Sequence, residues 1–170
     1  MSFELSQETQ TRIDEEIIPL YPRKKSAILP VLWEIQEEHG HISREGMLYT
    51  AEILELPPAH VFGVLTFYTM FEQEPIGKFH LQVCKTASCE IMGCKGITQK
   101  IRDKLGIGTG ETSEDELFTL TEVECLAACE IAPMMQVNKD NFGPLTPEIV
   151  DVILDELKEH GETKTTKRCL

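Results

Sequence analysis

The sequence predicts an α+β protein in which an N-terminal helical bundle precedes a smaller α/β domain built on a sheet. Three observations carry this. Apolar residues recur at helical spacing through residues 6–71, the pattern changes to strand-like alternation after Pro75-Ile76-Gly77, and a last helical stripe follows Pro147. The implied division is a helical domain over residues 1–77, a sheet domain over 78–161 and a polar tail over 162–170.

In the helical half, Ser6 is placed as an N-cap, with Glu8, Asp14 and Glu15 early in the segment, where acids suit the helix dipole. Pro19 is expected to stop that helix. A second helix is predicted over residues 25–39, with Ile28, Leu29, Leu32, Trp33 and Ile35 on one side, Glu34, Glu37 and Glu38 on the other, and Gly40 as its terminator. Pro30 falls in its first turns, where no intrahelical N–H is required. Ser43 opens a third helix to residue 54, with Met47, Leu48, Ala51 and Leu54 expected inside, and Leu56-Pro57-Pro58 breaks the chain before a fourth helix that runs to residue 68. The third and fourth helices have the outline of a DNA-reading helix-turn-helix. Between Gly46 and Gly77, however, there is no Lys or Arg to hold phosphate or guanine, so they are read as bundle helices.

In the second half, Phe79, Leu81 and Val83 alternate with His80 and Gln82 as in a half-buried strand that Cys84 closes. One helix is expected over residues 91–105, with Gly106 as its stop, then a turn over 108–116 and a second strand over 117–123. Residues 134–138 and 142–145 are expected to form a hairpin closed around 138–141. Pro147 opens a last helix carrying Ile149, Val150, Ile153, Leu154 and Leu157.

Composition narrows the functional classes. The chain has 170 residues and a formal net charge of -13, and the acid leans to the first half: residues 1–77 carry 5 Lys/Arg against 13 Asp/Glu, and residues 78–170 carry 11 against 16. That balance argues against nucleic acid and anionic lipid as partners, and leaves solubility or steering toward a basic partner as the role of the charge. No apolar stretch reaches the roughly 20 residues of a bilayer span. Residues 1–10 hold Glu4 and Glu8 but no Lys or Arg, which is not the pattern of a secretory signal, so a reducing, cytosolic compartment is expected. There, six cysteines are better read as metal ligands than as disulfides.

Four of them form two pairs. Cys84-x4-Cys89 and Cys125-x3-Cys129 are separated by 35 residues, and each pair follows a predicted strand. If those strands are neighbours, the loops meet at one sheet edge and offer four thiolates to a common point. A 2Fe-2S cluster takes two cysteines on each iron, which two loops supply. A structural zinc site also takes four cysteines but usually draws them from C-x2-C knuckles, and thiol–disulfide chemistry favours C-x-x-C, which is absent. Spacing therefore favours the cluster, with zinc, thiol redox chemistry and unligated core cysteines as the alternatives. Cys94 reads as a small buried thiol and Cys169 as a free tail thiol. Gly93, Ala87, Ser88, Ala127 and Ala128 leave room for backbone amides to approach the sulfurs, although ordinary loop residues would look the same. His39, His41, His60, His80 and His160 are scattered without metal spacing, and Gly106-x-Gly108-x-Gly110 follows a helix instead of a strand, so neither a catalytic set nor a dinucleotide fingerprint is found. One-electron chemistry without a substrate site describes a relay.

The segments VCKTASCEIMGC (83–94), TEVECLAACEIAPMMQVN (121–138) and PPAHVFGVLTFYTMF (57–71) together resemble the thioredoxin-like 2Fe-2S ferredoxin family represented by the E-type subunit of NADH:quinone oxidoreductase, respiratory complex I, and its mitochondrial counterpart. The resemblance extends over residues 6–161. It implies a thioredoxin-like domain with one 2Fe-2S cluster on Cys84, Cys89, Cys125 and Cys129, behind an N-terminal domain that docks on a partner. It further implies a non-catalytic electron-transfer subunit whose principal partner is the flavoprotein subunit that carries FMN and NADH, with the large iron-sulfur subunit of the complex as a second neighbour. The implied location is the cytoplasmic, peripheral arm of a membrane-bound complex, without direct membrane insertion. Equivalent subunits of NAD-linked hydrogenases and formate dehydrogenases share the pattern, and a zinc-binding interaction module or a free ferredoxin shuttle are the alternatives of other classes.

Overall fold

Ser6 begins the helical unit by accepting the Thr9 N–H at 3.2 Å, which caps α1 (Gln7–Thr11). The computed structural model describes residues 3–163. Beyond α1 the helix widens into a π segment (Arg12–Ile17) and tightens into a 3-10 turn (Ile18–Leu20). Pro19 therefore does not end the helical run as expected. It lies in the first turn of the 3-10 segment, where its missing N–H costs nothing. The π segment buries Ile13 and Ile17 together. A 3-10 turn (Lys24–Ala27) leads into α2 (Ile28–His39), whose Val31, Leu32 and Ile35 are fully buried. Gly40 ends it at φ 77°, donating its N–H to the Gln36 carbonyl at 2.8 Å.

Ser43 caps α3 (Arg44–Ile53) through the Gly46 N–H. The buried side of α3 is Gly46, Thr50 and Ala51, and Leu48, expected inside, is exposed. Residues 46, 50 and 54 lie on one line down the helix, which leaves position 48 on the far side. An apolar count misses that line because glycine and threonine carry it. A Cβ at Gly46 would come within 3.1 Å of the Phe3 ring and 3.3 Å of Ile35, so close approach, not hydrophobicity, selects the residue. α4 (Pro58–Phe67) is apolar on all sides yet buries only Val61 and Leu65.

The chain divides between Pro75 and Ile76, and each side has a core of its own, centred on α2 in the first and on a sheet in the second. The sheet holds β1 (Phe79–Cys84), β2 (Glu111–Thr112), β3 (Phe118–Val123), β4 (Met135–Val137) and β5 (Asp140–Phe142) in the order β2-β3-β1-β4-β5. β1 and β3 are parallel, and the other pairings are antiparallel. Between β1 and β3 run α5 (Ala87–Ile91) and α6 (Cys94–Leu105), and α7 (Pro147–His160) follows the sheet. α6 packs on β1, β3 and α7, joined to α7 by Lys100 and Lys104 on Asp151 and by Lys104 on Asp155.

Four expectations are corrected here. The helix predicted over 91–105 is two, because Gly93 takes φ 91° and stops the first before the second begins. The turn after residue 108 contains the two-residue edge strand β2. The hairpin is tighter than expected: Met135 pairs with Phe142 as the two segments require, but Val137 also pairs with Asp140, because Asn138 at φ 54° makes a two-residue turn with Lys139. His80 is buried rather than facing solvent, on the sheet face that it shares with Thr121 and Gln82. The tail lies outside the described residues from 164 onward.

Candidate metal centre

β1 and β3 are in register to their ends, with Cys84 opposite Val123, so the loops that follow them leave the sheet at one edge. Cys84 is the last residue of β1, Cys89 lies in α5, Cys125 in the loop after β3, and Cys129 opens a 3-10 turn to Ile131. The four sulfurs come together there. Cys84 and Cys89 are near enough to perturb each other's ionisation, Cys125 and Cys129 stand 3.6 Å apart, and the Cys84 charge reaches both members of the second pair.

The 3.6 Å separation is close to the edge of a tetrahedron around a metal with bonds to sulfur of about 2.3 Å, an edge of about 3.8 Å. Among the described residues, no three His, Cys, Asp or Glu side chains converge on the position of one ion. Two cysteines from each of two loops suit a binuclear cluster that takes two cysteines on each iron.

Backbone amides point into the site. The Ala127 N–H donates to Cys125 Sγ at 3.4 Å from a residue held at φ 60°, a region that alanine rarely enters. The Leu126 and Thr86 amides reach Cys84, and the Met134 amide reaches Cys89. Cys125 is held below the usual thiol range, first by the Ala127 N–H and then by the Cys129 thiol. Burial pushes Cys84 up, but the Thr86 hydroxyl and amide, the Cys89 thiol and the Leu126 amide together bring it below the usual range. Cys89 is pushed up to about 11 by burial, reinforced by Cys84, and Cys129 is raised by Cys125. Each pair thus joins one sulfur whose surroundings favour the thiolate to one whose surroundings favour the thiol.

The two pairs differ in setting. Cys84 and Cys89 are buried, whereas Cys125 and Cys129 are exposed. Beside them stand Ile91, 84% exposed, and Met92, 58% exposed, with Lys95 paired to Glu90 and Lys85 to Glu124. Cys94 is buried in the sheet core, as its reading as a small apolar thiol requires, and its S–H points to the Glu90 carboxylate at 3.4 Å. Cys169 lies outside the described residues. Thr86, whose hydroxyl is 3.2 Å from Cys84 Sγ, was not singled out by sequence; its place two residues beyond a candidate ligand cysteine is the signal that could have found it. None of the scattered histidines joins the site.

The sequence profile of the thioredoxin-like [2Fe-2S] ferredoxins matches residues 14–158. The second E-type subunit of the NADH-quinone oxidoreductase of Rhizobium meliloti is 41% identical over 148 residues, covering 87% of this chain and 88% of that protein. The E-type subunit of the Rickettsia bellii enzyme is 43% identical over 147 residues, covering 85% and 88%. Among solved structures, a chain of an NAD+-reducing [NiFe]-hydrogenase in the air-oxidised state superposes with a TM-score of 0.68 at 15% identity, over 77% of this chain and 22% of that one, a likeness of fold. Paired cysteines at the ends of two parallel neighbouring strands, and relatives that align along nearly the whole length, lead to one assignment: the chain belongs to the thioredoxin-like [2Fe-2S] ferredoxin family, in the group of the E-type subunits of NADH-quinone oxidoreductase.

Proposed function

We propose that this chain is the E-type electron-transfer subunit of an NADH:quinone oxidoreductase, in which Cys84, Cys89, Cys125 and Cys129 hold a 2Fe-2S cluster that exchanges single electrons with the FMN of an NADH-oxidising partner subunit. The observation that carries this is the meeting of the two cysteine pairs at the common edge of β1 and β3. When bound, the cluster supplies a reversible one-electron couple. The residues of the chain supply the rest. The buried pair anchors the centre in the sheet core, the exposed pair brings it to the surface, and the amides of Thr86, Leu126, Ala127 and Met134 neutralise part of the thiolate charge.

The FMN- and NADH-binding flavoprotein is the principal partner in this reading, with the large iron-sulfur subunit as a further neighbour. The unburied faces of α4 and the Ile91-Met92 step are the surfaces that fit such contacts, since apolar residues left in solvent on a monomer mark association sites. No helix among the described residues is long and apolar enough to cross a membrane, which suits a peripheral arm. The chain itself is non-catalytic here. The hydrogenase likeness favours, as a second reading, the equivalent subunit of an NAD-linked hydrogenase, and the identity to the E-type relatives favours the first.

Two measurements test this. Anaerobically purified chain is expected to be red-brown, with two irons, and to give an axial or rhombic EPR signal on reduction; a colourless protein with one zinc sinks the electron-transfer reading. Rapid-freeze EPR of the assembled complex after NADH addition is expected to show this cluster reduced within a turnover, and reduction slower than turnover overturns the exchange with FMN.

A further inference from the structure

Thr86 occupies the N-cap position of α5, where a threonine hydroxyl ordinarily accepts an amide of the first helical turn and contributes about 1 kcal/mol. Here it makes no such bond. Its Oγ1 is turned away from the helix, to 3.2 Å from Cys84 Sγ, and it also faces the Cys125 thiol. Cys84 belongs to the buried pair and Cys125 to the exposed pair, so one hydroxyl stands where the two halves of the site meet. A β-branched side chain has few χ1 choices, and Thr86 is only partly exposed, which limits competition from water for that proton.

We propose that Thr86 is a positioning residue that sets the reduction potential of the centre by donating its hydroxyl proton to the Cys84 sulfur. The inference rests on the functional reading above, in which all four cysteines are ligands. A ligating thiolate has no proton to give, so in the loaded protein the hydroxyl is the donor and the sulfur the acceptor. One electron added to the centre increases the negative charge on its sulfurs, and a donor hydrogen bond to a sulfur is stronger in that state. The bond therefore stabilises the reduced form more than the oxidised one and raises the potential. The forgone helix cap is consistent with a side chain committed to the sulfur.

The test is a mediated redox titration of the purified full-length chain, followed by EPR, with iron content and visible spectrum recorded on each sample. Thr86→Val keeps the shape and removes the donor. It is expected to load the cluster and to titrate at a lower potential, with reduction three- to tenfold less favourable, where tenfold is about 59 mV for a one-electron couple. Thr86→Ser keeps the hydroxyl and is expected to titrate near the wild type. An intact cluster in Thr86→Val with an unmoved potential overturns the proposal, as does a Thr86→Ser variant that shifts as far as Thr86→Val. Should Thr86→Val fail to hold iron, Thr86→Ala decides by the same criterion. A wild-type chain without the cluster's absorption and EPR signal overturns the functional reading and the role of Thr86 with it.

Discussion

At the residue scale, the same amino-acid type does opposite work within a few positions. Cys84 and Cys125 are surrounded by donors that favour the thiolate, while Cys94, one helix start away, keeps its proton between a buried core and the Glu90 carboxylate. Surroundings, not identity, set how readily each thiol ionises. His80 shows the same rule for a base. Its Nδ1 accepts from the Gln82 amide at 3.2 Å, leaving its Nε2–H to donate to the Thr121 hydroxyl at 2.8 Å, and burial depresses its pKa to about 4. The unfolded chain, with an ordinary histidine near pH 6.5, binds the proton first, so stability is fully present above that pH and is lost as pH falls toward 4, by roughly 3 kcal/mol over the window. Urea denaturation at pH 7.5 and pH 5, part of the way through that window, is expected to show about 2 kcal/mol of this loss in the wild type and a smaller one in His80→Gln. Equal losses in the two proteins would remove His80 as its source.

At the scale of elements, α4 is the one whose sequence and surroundings disagree most. A helix that is apolar all round is ordinarily buried all round. This one leaves Phe62 52% and Phe67 76% exposed, each a side chain whose burial against a partner is typical of an interface anchor. Replacing both with serine is expected to leave the helical circular dichroism of the chain unchanged and to weaken its association with the proposed flavoprotein partner at least tenfold, read by co-purification or a titrated binding signal. Unchanged affinity would remove α4 from the interface. The split between α5 and α6 belongs to this scale as well. By turning the chain at Gly93, it frees α5 to carry Cys89 into the site, while α6 keeps Ile97 and Ile101 in the core.

At the scale of the whole molecule, two cores that share no residues divide the work of folding. A bound cluster stabilises whatever holds its ligands, and all four candidate ligands lie on the sheet side of Pro75. Removal of iron is therefore expected to lower hydrogen-exchange protection of β1 and β3 and to leave α2 and α3 as protected as before. A parallel loss in the helical unit would show that the two units fold as one. Much of this plan was legible in the sequence. Residue spacing located the four cysteines, the capping residues Ser6, Ser43 and Gly40 marked helix ends, and alternation marked the strand before Cys84. Those signals are local, since caps, periodicity and ligand spacing act within a few residues of chain. The parallel pairing of β1 with β3, the αL alanine that aims an amide at Cys125, the exposure of Leu48 and the turning of the Thr86 hydroxyl from helix cap to sulfur were not. The strand pairing and the exposure of Leu48 depend on neighbours brought from far along the chain, which only tertiary packing determines; the Ala127 amide and the Thr86 hydroxyl meet sulfurs two residues away, but the backbone region and rotamer that aim them there are not written in residue type.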